Sequence, residues 1–270
     1  MKRILIMLVC MLTLTALLLG TAGCESREIK APNLMDDYTP KEVPAMTLDE
    51  EFAVSQMRLY LDLFKESVSE AASGKDAKDM NVLISPLSVE LALAMTANGA
   101  NGGTREEMNA VLAGEYFTIE ELNGYLKAYT DSLPSNKKSK VSIANSIWFR
   151  DDENRIQVKE DFLQKNADYY GADVYKAPFN KQTVKDINNW VKNNTDDMID
   201  GIVDEIDAST IMYLINALAF EADWEDQYEK KDISDGVFTN IKGEKQDAEM
   251  MHASEYRFLN DGRATGFKKY

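Results

Sequence analysis

The chain has 270 residues, of which 44% are hydrophobic and 28% charged, and its formal net charge is −16. That suffices for one large domain or two small ones. So acidic a surface repels nucleic acid and gains nothing from anionic lipid, which excludes both as partners of the folded surface.

The first element stands outside the fold. Lys2 and Arg3 precede the apolar run ILIMLVCMLTLTALLL, and GTAGC closes on Cys24. A basic start, an apolar stretch and a small-residue exit form a secretory signal. Small residues running into a cysteine resemble a bacterial lipoprotein signal with lipid on Cys24, although Thr21 stands where such signals prefer leucine. The other reading is a plain signal anchor, because Ile4 to Ala22 is almost long enough to span a bilayer. The second cysteine, Cys10, lies inside the apolar run. No disulfide framework and no cysteine metal site can therefore form in the folded part.

Residues 25–47 carry three of the six prolines, mixed charge and no period. They read as a flexible tether. The globular part runs from Leu48 to Tyr270. Val54, Met57, Leu61, Phe64 and Val68 step by three and four and form one helical stripe. SGKDAKDM is a loop. NVLISPLSVELALAMTANGA then reads as an apolar strand, a sharp turn and a buried helix. Ser85 is placed as N-cap, with Pro86 in the first turn and Gly99 as stop. Capping boxes are expected at Thr104 to Glu107 and at Thr118 to Glu121. VSIANSIWFR, Val141 to Arg150, is a strand rich in β-formers. Helices follow from Lys159 to Tyr170, with Phe162, Leu163 and Tyr170 inward, and around Val184, Ile187, Trp190 and Val191. TIMYLINALAF, Thr210 to Phe220, is apolar on both alternations, as a strand covered on both faces is. After Trp224, short strand-like pieces with DG, KG and NDG turn signals suggest an antiparallel β region.

Asn145, Asn216 and Ser85 with Ser88 are small polar residues in buried settings. A buried amide without partners costs about 1–3 kcal/mol. Either these are unrelated satisfied core residues, or they form one hydrogen-bonded cluster between a sheet and the helix beneath it. No catalytic constellation accompanies them. His252 is the only histidine and is read as structural. No G-x-S-x-G elbow is present, GANGGT follows a helix where a dinucleotide site needs a strand, and DGIVDEID does not fit a calcium loop. An enzyme, a cofactor and a metal site are not expected.

NVLISPLSVELALAMTANGANGGTREEM, SIANSIWF, DFLQKNADYYGADVYKAPF, INNWVKNNTDDMI and LINALAFEADWEDQY followed by MMH resemble, in that order, segments of the serpins, a family of suicide protease inhibitors. The resemblance implies an α+β fold. A large mixed β-sheet has helices packed around it, beside a second antiparallel β region. It also implies that Ser85, Ser88, Asn145 and Asn216 are the shutter, where the sheet parts to admit a loop as a new strand. Trp224 matches the tryptophan of the breach, where insertion begins. The family pattern Lys-Gly-x-Trp is replaced here by Glu221-Ala222-Asp223-Trp224. The implied partner is a serine or cysteine endopeptidase. The implied protein is a monomer, extracellular or held at a bacterial cell surface by lipid on Cys24. In the family the reactive loop lies near the C-terminus, so the chain is expected to be incomplete before that loop, unable to inhibit alone, and to leave the Thr210–Phe220 strand without its next neighbour. The alternatives are a non-inhibitory serpin used as a scaffold and a lipoprotein that captures a small solute.

Overall fold

A computed structural model describes residues 27–44, 46–73, 81–240 and 242–269. The expected signal and Cys24 lie outside these residues, as does most of the loop expected at 73–80. Two compact units divide the chain. One takes residues up to 132 together with 142–219, and the other takes 133–141 together with 220–270.

Among the described residues six α-helices build the first unit: α1 (Glu50–Ser73), α2 (Pro86–Ala97), α3 (Gly102–Leu112), α4 (Ile119–Asp131), α5 (Glu160–Tyr170) and α6 (Lys181–Asn194). They surround strands β1 (Ser139–Arg150), β2 (Asp173–Ala177) and β3 (Met212–Ala222), ordered β2-β1-β3, with β3 at the edge. β1 and β2 run parallel, Ser146 opposite Asp173 and Arg150 opposite Ala177. Successive side chains of a strand point to opposite faces, and here both faces are covered. Ile147 and Phe149 pack with Leu91 and Met95 of α2 and Leu122 and Leu126 of α4. Trp148, Tyr175, Ile215 and Ala217 pack with Ile187, Trp190 and Val191 of α6. The same period puts Asn145 of β1 in phase with Ile147, and Asn216 of β3 in phase with Met212 and Leu214, on the α2 side.

Several local expectations change. Asn81–Ile84 is not a strand, and Leu83 is 96% exposed. A strand needs a neighbouring ladder, and none pairs with it among the described residues. Helix α3 begins at Gly102, capped by Asn101 Oδ1 accepting from Gly102 N at 2.9 Å, so Thr104 lies inside the helix and is not its cap. Val89 and Leu93 of α2 are partly exposed, so this helix is not wholly buried. On α1, the face turned inward carries Phe52, Ser55 and Gln56. The Val54–Val68 stripe lies at the surface, with Met57 and Leu61 each 58% exposed.

The stretch expected as a tether is pinned along the first unit. Asn33 Nδ2 donates to Asp173 at 2.8 Å, Ala31 N to Asp186 at 3.1 Å and Lys41 N to Asp168 at 2.7 Å. Arg27 pairs with Asp197 at 2.7 Å.

The expected box at the start of α4 is present. Thr118 Oγ1 accepts from Glu121 N at 3.2 Å, and Thr118 N donates to the Glu121 carboxylate at 2.9 Å. Thr118→Ala is expected to cost about 1 kcal/mol in urea unfolding. An unchanged midpoint would show that packing alone holds the helix start.

The second unit holds hairpins β4 (Ile233–Thr239) with β5 (Lys245–Met251) and β6 (Phe258–Asn260) with β7 (Thr265–Phe267), both antiparallel. Gly243 and Gly262 take positive φ, 81° and 85°, in the two turns. The KG and NDG signals therefore mark turns, whereas the DG at Asp235–Gly236 lies within β4.

Candidate functional site

Helix α2 starts where Ser85 Oγ accepts from Ser88 N at 3.3 Å, with Pro86 in the first turn. This leaves the Ser88 hydroxyl free to leave its own helix, and it donates to Asn216 Oδ1 on β3. Asn216 Nδ2 donates to Asn145 Oδ1 on β1 at 2.8 Å. Asn145 Nδ2 donates to the carbonyl of Tyr170, the last residue of α5, at 2.9 Å. The four expected residues are thus one chain of hydrogen bonds linking a helix start, two strands and a helix end.

The chain continues through residues whose polar role sequence reasoning missed. The Tyr170 hydroxyl donates to Asn123 Oδ1 of α4. Asn123 Nδ2 donates to Asn98 Oδ1 at 2.8 Å, and Asn98 Nδ2 donates back to Ala94 O at 3.2 Å at the end of α2. Both ends of α2 are therefore tied to Tyr170, one through its carbonyl and one through its hydroxyl. Burial, and then the nearby Glu90, push the Tyr170 phenol far up, so it stays a neutral donor. The available signal was an amide, Asn123, in the buried stripe formed by Leu122, Tyr125 and Leu126.

Such a seam differs mechanically from an apolar core. Interdigitated side chains resist separation because every contact is lost at once. Hydrogen bonds between small polar groups can be exchanged one for another when strands part. Asn145 is 6% exposed, while Asn216, Ser85 and Ser88 are half-buried.

Trp224 belongs to the second unit and is 52% exposed. Lys269 Nζ lies 5.6 Å from its ring centre and 4.7 Å from that of Tyr228, and pairs with Glu255 at 2.8 Å. His252 is exposed and sits 3.0 Å from Ser234 Oγ. Among the described residues no cluster of three or more His, Cys, Asp or Glu side chains could hold a metal, and no helix is long and apolar enough to cross a membrane.

A mixed sheet clad in helices, with a polar seam beneath its central and edge strands, defines an α+β protein of the serpin class. Residues 36–268 match the family described as Serpin (serine protease inhibitor), and the chain belongs to that family. Human neuroserpin is 31% identical over 180 residues, covering 65% of this chain and 43% of that protein. Native tengpin, a thermophilic serpin, superposes with a TM-score of 0.79 at 43% identity, covering 89% of this chain and 59% of that one. A loop C-sheet serpin polymer gives a TM-score of 0.76 at 45% identity, with 86% and 59% covered. The chain thus spans about half the length of the relatives it matches.

Proposed function

We propose that this protein is a serpin-type inhibitor of serine or cysteine endopeptidases that works by inserting its reactive loop into the sheet. The carrying observation is the hydrogen-bonded chain from Ser88 through Asn216 to Asn145, which ties the start of α2 to β3 and β1. Among the described residues β3 pairs with β1, and in this reading the inserted loop pairs along its other side. Ser85, Ser88, Asn145 and Asn216 act as the shutter, and Trp224 marks the breach. The protease cuts the loop, the loop enters beside β3, and the acylated protease is carried along and distorted. In this reading the loop and its target-reading residues lie beyond Tyr270, lipid on Cys24 holds the protein at a bacterial cell surface, and the protein acts as a monomer with no catalysis of its own.

The test is to mix the full-length gene product with trypsin-like, elastase-like and subtilisin-like proteases. Inhibition by insertion predicts a covalent complex that survives boiling in detergent. Cleavage with no such complex for any protease would reject inhibition in favour of a non-inhibitory scaffold.

A further inference from the structure

Glu90 lies on α2, two residues after Ser88, and is fully buried. One carboxyl oxygen accepts from the Tyr60 hydroxyl of α1 at 2.7 Å, and the other has no partner. Gln56 of α1 faces it, 5% exposed, near enough to pull on the carboxyl, yet neither of its amide atoms comes within hydrogen-bond geometry of a partner. Three buried polar atoms without protein partners thus meet in one helix–helix interface. A carboxylate there is an unpaired buried charge, whereas a carboxylic acid supplies a donor that Gln56 Oε1 can take.

We propose that Glu90 is a proton-operated latch on the shutter helix. Neutral, it seats α2 on α1 and steadies the Ser88–Asn216–Asn145 chain; ionised, it loosens α2 and makes the sheet easier to open. This rests on the reading of α2 as the shutter helix.

Burial favours the neutral form of Glu90, while the Tyr60 hydroxyl and the Gln56 amide among the groups around it pull the other way. From α1 come Gln56 and Tyr60, and the Tyr60 phenol is itself pushed far up by burial and by Glu90. From α5 comes Tyr170, and from α4 comes Tyr129, which acts on Tyr60. Arg105 of α3 is bonded instead to Ala97 O at the far end of α2 and to Glu120. Among the described residues no cation acts on Glu90, and burial raises its pKa from 4.5 to about 7 against the opposing pull of Tyr60 and Gln56. The group is protonated more readily folded than unfolded. Its stabilising effect is therefore complete below pH 4.5 and is lost as pH rises through about 7.

The experiment measures the thermal midpoint and the amide exchange of α2 in the full-length protein from pH 5.5 to 8.5. The wild type should lose several degrees across that range, with exchange in α2 speeding up in step. Glu90→Gln should be flat in both. Tyr60→Phe, which keeps the carboxyl and removes a group that holds its pKa down, should move the transition to higher pH. It serves as the second probe if Glu90→Gln does not fold. A pH response unaltered in both variants overturns the latch. A response that vanishes in Glu90→Gln, while protease-complex formation is insensitive to pH, keeps the latch and rejects its link to the shutter.

Discussion

Asn216→Ala is expected to destabilise the protein by about 1–3 kcal/mol, read as a lower urea midpoint. The substitution removes the acceptor of Ser88 Oγ and the donor to Asn145 Oδ1 together. Asn145 is buried, so its oxygen loses the donor it has here at a site largely shielded from solvent. The loss should also be non-additive with Ser88→Ala, because the two residues share one bond. Asn216→Asp sharpens the comparison, since a carboxylate keeps the acceptor for Ser88 but cannot donate to Asn145. A destabilisation below about 0.5 kcal/mol for Asn216→Ala would mean that the seam is not a connected unit.

Trp148→Ala should have the larger effect on stability, about 3–5 kcal/mol. Trp148 is fully buried on the opposite face of β1. Its ring stacks on Tyr175 with centres 4.1 Å apart and planes at 20°, and its Nε1 donates to Ser146 Oγ at 3.0 Å. Alanine would leave a cavity between the sheet and Ile187, Trp190 and Val191 of α6. Trp148→Phe keeps a ring in place and should recover most of the loss. Circular dichroism during urea unfolding follows both variants without relying on tryptophan emission. Equal costs for the two would assign the effect to the indole hydrogen bond and not to the volume.

The site was more legible in the sequence than its surroundings. Ser88, Asn145 and Asn216 stand out because each interrupts an apolar run, and a buried polar group must find a partner. Their common face follows from the two-residue period of the strands. The helices α1, α2, α4, α5 and α6 were legible for the matching reason, their apolar spacing and end signals. What failed was whatever depends on a neighbour. Apolar residues at 81–84 do not make a strand without a ladder beside them. The Val54–Val68 stripe marks one face of α1 correctly as apolar, yet the face that packs inward is the one with Phe52, Ser55 and Gln56. Proline and mixed charge at 25–47 suggest freedom, but Asp168, Asp173 and Asp186 of the first unit capture the described part of this stretch through backbone and asparagine donors. Glu90 gives little signal inside LSVELALAM because the run around it is so uniformly apolar, and that same uniformity makes its carboxyl unusual.

Loop insertion requires that the intact sheet be strained and that the strain be released on cutting. The most direct measurement is therefore thermal unfolding of the full-length protein before and after a single protease cut in its reactive loop. Insertion predicts that the cut protein stays folded at temperatures where the intact protein unfolds, because the loop has joined the sheet beside β3. Unfolding of both forms at the same temperature would contradict insertion and leave the polar seam as a static part of the core.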